Sequence, residues 1–99
     1  MKFKLKYAEV AKDHLLYLSA SEKSKVREGI VERLTSQADV ATRNRFKMRS
    51  NAIAPWELRI GDLRVYYEIE TGEDPSVNIL AIGKKVREQV FIGGKAVDL

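Results

Sequence analysis

The chain opens with a strict alternation of lysines and apolar residues over 2–7, "KFKLKY". A period of two is typical of a strand with one buried face, so this segment is predicted to be the first strand. From Ala8 to Leu18 the apolar residues recur every three or four positions instead. That spacing predicts a helix of about three turns.

A second helix is predicted after the polar break "SASEKS" at 19–24, with Ser21 as its N-cap. Val26, Ile30 and Leu34 recur at every fourth position and form one apolar stripe, and most of the charged residues lie outside it. Because the link between the two helices is short, we expect an antiparallel helical hairpin.

Residues 38–55 have no regular period and are predicted to be irregular. Basic residues occupy alternate positions in this segment, at Arg43, Arg45, Lys47 and Arg49. Two interpretations of this basic run stay open: it contacts a nucleic-acid backbone, or it is a solvated loop. Pro55 closes the segment and favours an extended chain before the next element.

Three strands are predicted in the second half of the chain, at "WELRI" (56–60), "LRVYYEIE" (63–70) and "VNILAI" (77–82). Gly61 at the first central position of the turn between the first two suits a type II′ hairpin. The order β-α-α-β-β-β predicts an α+β fold, an antiparallel sheet with the helical hairpin packed on one face. Residues 1–99 are expected to form one domain.

A two-residue turn fixes the register of this hairpin, so that Leu58 faces Val65 and Arg59 faces Arg64. One face is then apolar and available to the helices, whereas the other carries both arginines. Like charges directly opposite are destabilising by up to about 1 kcal/mol. Either Glu57 partly neutralises Arg64 and Arg59 extends into water, or the two guanidinium groups together bind a phosphate.

The composition places few further limits on function. The chain is 44% hydrophobic and 32% charged, and no apolar run approaches the roughly 20 residues of a membrane span. It has no cysteine and no signal-peptide pattern, so a cytoplasmic location is expected. Eighteen basic and fourteen acidic residues give a formal net charge of +4, which favours anionic partners. His14, the only histidine, is expected to be structural or solvated.

With "WELRIGDLRVYYEIE", a further strand and "GKKVREQVF", the sequence resembles the RelE/ParE superfamily of bacterial toxins. The resemblance covers nearly the whole chain and is most specific over 56–91. It implies the toxin component of a toxin–antitoxin pair, with a small antitoxin as its partner. RelE-like members cleave mRNA on the ribosome through attack of a 2′-hydroxyl on the adjacent phosphate, with no metal or other cofactor. ParE-like members inhibit DNA gyrase.

Carried over position by position, the resemblance implies roles for individual residues. Arg64 falls on the catalytic arginine after the turn, and Lys85, with Lys84 before it, falls on the basic residues after the last strand. The residues expected to bind RNA are Arg59, Arg87 and, from the basic run, Lys47 and Arg49.

The chain departs from the cleaving members at two positions. Phe91 stands where they often have a Tyr that helps to activate the nucleophile, and Glu57 stands where an active member has Lys. Tyr66, on the same face as Arg64, is a substitute proton donor to consider. These departures favour a member that does not cleave, whereas the predicted cluster of Arg59, Arg64, Lys84 and Lys85 favours cleavage. On balance we predict an endoribonuclease that inhibits translation. The alternatives are a gyrase inhibitor without nuclease activity and a degenerate member that binds only RNA or antitoxin.

Overall fold

The computed structural model describes residues 2–98, so both ends of the predicted 1–99 domain, Met1 and Leu99, lie outside the described residues. It is a small α+β structure with a largely antiparallel sheet and two helices. In chain order its elements are β1 (Lys4–Tyr7), α1 (Glu9–His14), a 3₁₀ turn (Leu15–Tyr17), α2 (Ala20–Leu34), β2 (Arg45–Lys47), β3 (Trp56–Ile60), β4 (Leu63–Glu70), β5 (Ser76–Val86), β6 (Gln89–Ile92) and β7 (Lys95–Val97).

The described strands form one sheet in the order β2-β3-β4-β5-β6-β7. Strand β5 is long enough to hold two neighbours on its outer edge: β1 pairs with Ser76–Ile79 and β6 with Gly83–Val86. The β1 pairing is parallel, and the other pairings are antiparallel. The predicted order omitted three of these strands: β2, β6 and β7.

The predicted register of the β3–β4 hairpin is confirmed. Leu58 pairs with Val65 and Arg59 with Arg64. Gly61 has φ 59°, whereas φ is negative at Asp62, the combination that a type II′ turn requires. Because side chains alternate along a strand, the turn decides which residues of both strands face the helices.

The helices differ from their predictions at their ends. Helix α1 stops at His14 and continues as one 3₁₀ turn. Helix α2 is capped by Ser19 rather than Ser21, because Ser19 and Glu22 form a capping box. The Ser19 Oγ accepts from the Glu22 N–H at 3.1 Å, and a Glu22 carboxylate oxygen accepts from the Ser19 N–H at 2.9 Å.

The helices cover one face of the sheet, hereafter the helix face. The apolar stripe of α2 is fully buried there against Leu58, Val65 and Tyr67. Burial of this kind is worth about 1.5–3 kcal/mol for each large apolar side chain. The predicted apolar faces of helix and hairpin therefore form the main core.

The opposite face, which carries Arg59 and Arg64, is not open over much of its area. A second apolar cluster lies there, centred on Tyr66, Ala81 and Ile92 and covered by the loop 48–55. The side chain of Asn51 shapes this loop: its oxygen accepts the N–H groups of Ile53 and Ala54 at 2.8 and 3.0 Å, and its nitrogen donates to two backbone carbonyls.

His14 closes a gap on the outer edge of β5, between the segments that pair with β1 and β6. The Ile82 N–H donates to Nδ1 of His14 at 3.2 Å. Only a neutral imidazole accepts this hydrogen bond. Partial burial lowers the pKa of His14, and the nearby Asp13 raises it by a smaller amount.

Stability is therefore expected to fall as the pH drops below about 6.5, the pKa of an unfolded histidine, because the unfolded chain then binds a proton more readily than the folded one. Urea unfolding at pH 7.5 and 5.5 measures this difference. A His14→Asn variant, whose Oδ1 accepts the same hydrogen bond without titrating, is expected to lose most of it. An equal pH dependence in both proteins would contradict the assignment.

Among residues 2–98, none of the helices is long and apolar enough to cross a membrane.

Candidate functional site

A cleft of about 810 Å³ opens on the sheet face away from the helices. It is bordered by β2, β3 and β4, by the loop after β2 and by the ends of β5, β6 and β7 with the turn between β5 and β6. Its basic lining residues are Lys47, Arg49, Arg59, Arg64 and Lys85, and its acidic ones are Glu57, Glu88 and Asp98. Five of the seven predicted site residues thus border one cleft, which carries a surplus of positive charge.

Arg64 forms the floor of this cleft and is only 6% exposed. Its Nη1 donates to the turn carbonyls of Gly61 and Leu63 at 2.7 and 3.0 Å. Within residues 2–98 it forms no ion pair with a carboxylate. Its other guanidinium nitrogens have no hydrogen-bond partner among residues 2–98 but are not fully buried. They are therefore accessible from the cleft.

A buried cation without a counter-ion is costly unless another group compensates its charge. Two carbonyl oxygens accept from one nitrogen of Arg64, and no carboxylate of the described residues 2–98 pairs with its positive charge. The site therefore suits an anion, and the planar guanidinium favours one with several oxygen atoms, such as a phosphate.

Arg59 faces Arg64 across the hairpin as predicted. Its own N–H donates to the Asn44 carbonyl at 2.8 Å, on the side away from β4. The structure pairs Glu57 with Arg59, at 2.5 Å, rather than with Arg64 as one of the two interpretations expected. Arg59 also lies over the Phe46 ring, with 4.9 Å between its Cζ and the ring centroid. The repulsion between the arginines is thus relieved by turning them toward different partners.

The two lysines after Gly83 lie on opposite faces, because β5 continues to Val86 and its side chains alternate. Lys85 is exposed and lines the cleft, and its N–H donates to the Asp62 carbonyl at 2.7 Å. Lys84 lies on the helix face, where its Nζ is 2.5 Å from a Glu22 carboxylate oxygen. This contact, first among several, lowers the pKa of Glu22. Lys84 therefore does not join the predicted cluster.

Arg87 also lies outside the cleft lining. It is exposed in the turn between β5 and β6 and has φ 58°, a left-handed conformation that is uncommon for residues other than glycine. Arg87 therefore does not join the cleft residues predicted to bind RNA.

The basic run does not form a single charged strip. Arg45 is 5% exposed on the helix face, where it donates to the carbonyls of Val40 and Arg33 at 2.7 and 2.8 Å. Lys47 reaches the edge of the cleft, but its Nζ lies 6.0 Å from the centroid of the Trp56 ring. Arg49 is exposed and lines the cleft. Neither of the two sequence interpretations describes the whole run.

Two aromatic positions considered for a proton donor, Phe91 and Tyr66, do not line the cleft. Phe91 pairs with Lys84 and borders a smaller cavity on the helix face, so a Tyr at this position would not face the cleft. Tyr66 is fully buried, and burial together with the nearby Glu57 carboxylate raises its pKa. Tyr66 therefore cannot reach a substrate in the cleft to donate a proton.

Sequence reasoning missed Phe46, which lines the cleft beside the arginines. The sequence contains a signal for this position. Side chains alternate along a strand, so Phe46, between Arg45 and Lys47, faces the side opposite to theirs. Among residues 2–98, no group of three or more His, Asp or Glu side chains is placed to hold a metal ion.

The fold and the cleft define the class of protein: a small α+β domain with a sheet-borne basic cleft built around a buried arginine. No protein-family model matches the chain, and no curated protein sequence matches it.

Proposed function

We propose that this protein is the toxin of a toxin–antitoxin pair and acts as a RelE-like endoribonuclease on ribosome-bound mRNA. The observation that carries the proposal is the buried Arg64 at the floor of a basic cleft, where no carboxylate of residues 2–98 forms an ion pair with it. An RNA backbone would supply an anion for this site, and the resemblance of the segment 56–91 to the RelE/ParE superfamily, whose RelE-like members cleave mRNA, supports the reaction.

In the proposed reaction the 2′-hydroxyl oxygen of one nucleotide attacks the adjacent phosphorus. The bond from that phosphorus to the 5′ oxygen of the next nucleotide breaks, which leaves a 2′,3′-cyclic phosphate and a free 5′-hydroxyl. The proton lost by the attacking oxygen is balanced by the proton that the leaving oxygen takes up, through the solvent. The transition state carries extra negative charge on the phosphate oxygens.

The chain's contribution to this reaction is electrostatic. Arg64 is fixed by the turn carbonyls before substrate arrives, so it stabilises the developing charge without reorganisation. Lys85 and Arg59 lie on the same sheet face and neutralise the flanking backbone. Phosphates that displace Glu57 from Arg59 would gain a second guanidinium fork.

The antitoxin is proposed to cover this cleft with an acidic or amphipathic segment, because such a segment would compensate the same unpaired charge. The site of action would then be the translating ribosome, with mRNA as substrate.

Induced expression in a bacterial host, wild type beside Arg64→Ala, tests the proposal. We expect growth arrest with cleaved mRNA on ribosomes from the wild type and neither effect from the variant. Arrest with gyrase-dependent DNA breaks and intact mRNA would overturn the proposal in favour of a gyrase inhibitor. The absence of arrest from the wild type would indicate a degenerate member that only binds.

A further inference from the structure

Phe46 is an aromatic residue that the cores do not use. It pairs with Glu57 across β2 and β3, which places its side chain on the cleft face. It is partly exposed and belongs to neither apolar cluster, unlike its neighbour Met48. Among the described residues that line the cleft, Phe46 is the one aromatic.

Arg59 lies over the Phe46 ring and is itself held by an ion pair. The guanidinium carbon lies 4.9 Å from the centroid of the Phe46 ring, and the same guanidinium is bonded through Nε to the buried carboxylate of Glu57. An exposed cation–π contact contributes only about 0.5–1 kcal/mol. That is too little to explain, through folding alone, why a large apolar ring lies partly exposed among charged side chains.

A ligand that suits these neighbours combines flat apolar groups with a repeating anionic backbone. Unpaired nucleic-acid bases stack on aromatic rings and arginine planes, and the phosphates between them contact basic side chains. In a duplex the bases are stacked on each other and unavailable to the ring. The cleft thus matches a single strand better than a duplex or a free phosphate.

We propose that Phe46, held by Arg59, stacks on one unpaired base of an RNA strand whose phosphates are bound by Arg64 and Lys85. This inference rests on the proposed function and adds to it the strand state of the substrate and the residue that grips a base. A stacked base is worth about 1–3 kcal/mol. That energy corresponds to about a 5- to 150-fold change in affinity, because 1.4 kcal/mol is tenfold.

The test is binding of a short single-stranded RNA made resistant to cleavage by 2′-O-methyl groups. The same strand is also prepared with a single abasic site placed at each position in turn. For the wild type, one abasic position is expected to weaken binding by about 5- to 150-fold. Phe46→Leu should weaken binding of the intact strand to a similar extent and become insensitive to that abasic position. Phe46→Tyr, which keeps the ring, should bind as the wild type does.

Phe91→Leu is the matched control, because it makes the same change on the helix face and should leave RNA affinity unchanged. The salt dependence separates the two kinds of contact: Phe46→Leu should keep the wild-type slope, whereas Lys85→Gln should lower it by about 0.7 for the lost phosphate contact.

The outcomes separate this inference from the proposed function. If Phe46→Leu binds as tightly as the wild type while Arg64→Ala loses affinity, the stacking role is wrong and the anion site stands. If the wild type itself does not bind the single strand, both the stacking role and the RNA substrate are overturned.

Discussion

An Arg64→Ala variant is expected to cleave ribosome-bound mRNA about 100- to 1,000-fold more slowly than the wild type. The reason is that a preorganised donor aimed at developing charge typically contributes that much to a rate. Arg64 meets the structural requirement, since the turn carbonyls fix one nitrogen and leave the others accessible from the cleft. The measurement is the rate of a single turnover on programmed ribosomes with the protein in excess.

Arg64→Lys is the matched control for charge. It keeps the cation but loses the planar fork, so an intermediate rate is expected. Both variants are to be compared at equal folded fraction, established by urea unfolding. Wild-type rates for both variants would show that the buried guanidinium is a structural group.

The second large effect is expected at the other buried arginine and concerns stability. Arg45→Met should lower the free energy of unfolding by about 3–6 kcal/mol, because hydrogen bonds from charged groups contribute about 1.5–3 kcal/mol each. Two such bonds are lost, to the carbonyls of Val40 and of Arg33 in the last turn of α2. Carbonyls at a helix C-terminus also favour a nearby cation.

Urea unfolding checks this effect, with Arg43→Met as a control at an exposed position two residues away. The Arg45 variant should show the lower midpoint and, where it is folded, unchanged RNA affinity. Equal midpoints for the two variants would contradict the structural role. The two variants together compare Arg45, a buried arginine whose charge is compensated by a helix end, with Arg64, whose charge is not paired by any carboxylate of residues 2–98.

The hairpin and its arginines could be predicted from the sequence because a local rule governs them. A two-residue turn sets the register, and the period of two then assigns each side chain to a face. The same reasoning placed Leu58 and Val65 in the core and Arg59 opposite Arg64, as the structure has them.

Features that depend on distant contacts could not be predicted in this way. Gly83 looked like the end of a strand, yet β5 runs through it: a Cβ there would lie 2.6 Å from the carbonyl oxygen of Phe91 in β6. If the strand ended at Gly83, Lys84 and Lys85 could form one basic cluster. Because the strand continues, Lys84 faces the helices and Lys85 faces the cleft. The loop that covers Tyr66 is held by Asn51, whose contacts have no periodic signal.

The most direct test of the central claim, that the cleft around Arg64 cuts an RNA strand, is the chemistry of the RNA ends. Purified protein is incubated with mRNA on programmed ribosomes, and the new 3′ ends are analysed. Wild-type protein is predicted to produce a 2′,3′-cyclic phosphate at a defined position. A 2′-deoxy nucleotide at that position should abolish the cut, and the Arg64→Ala change should slow it about 100- to 1,000-fold. Intact mRNA with the wild type, or equal cleavage by wild type and Arg64→Ala, would contradict the account.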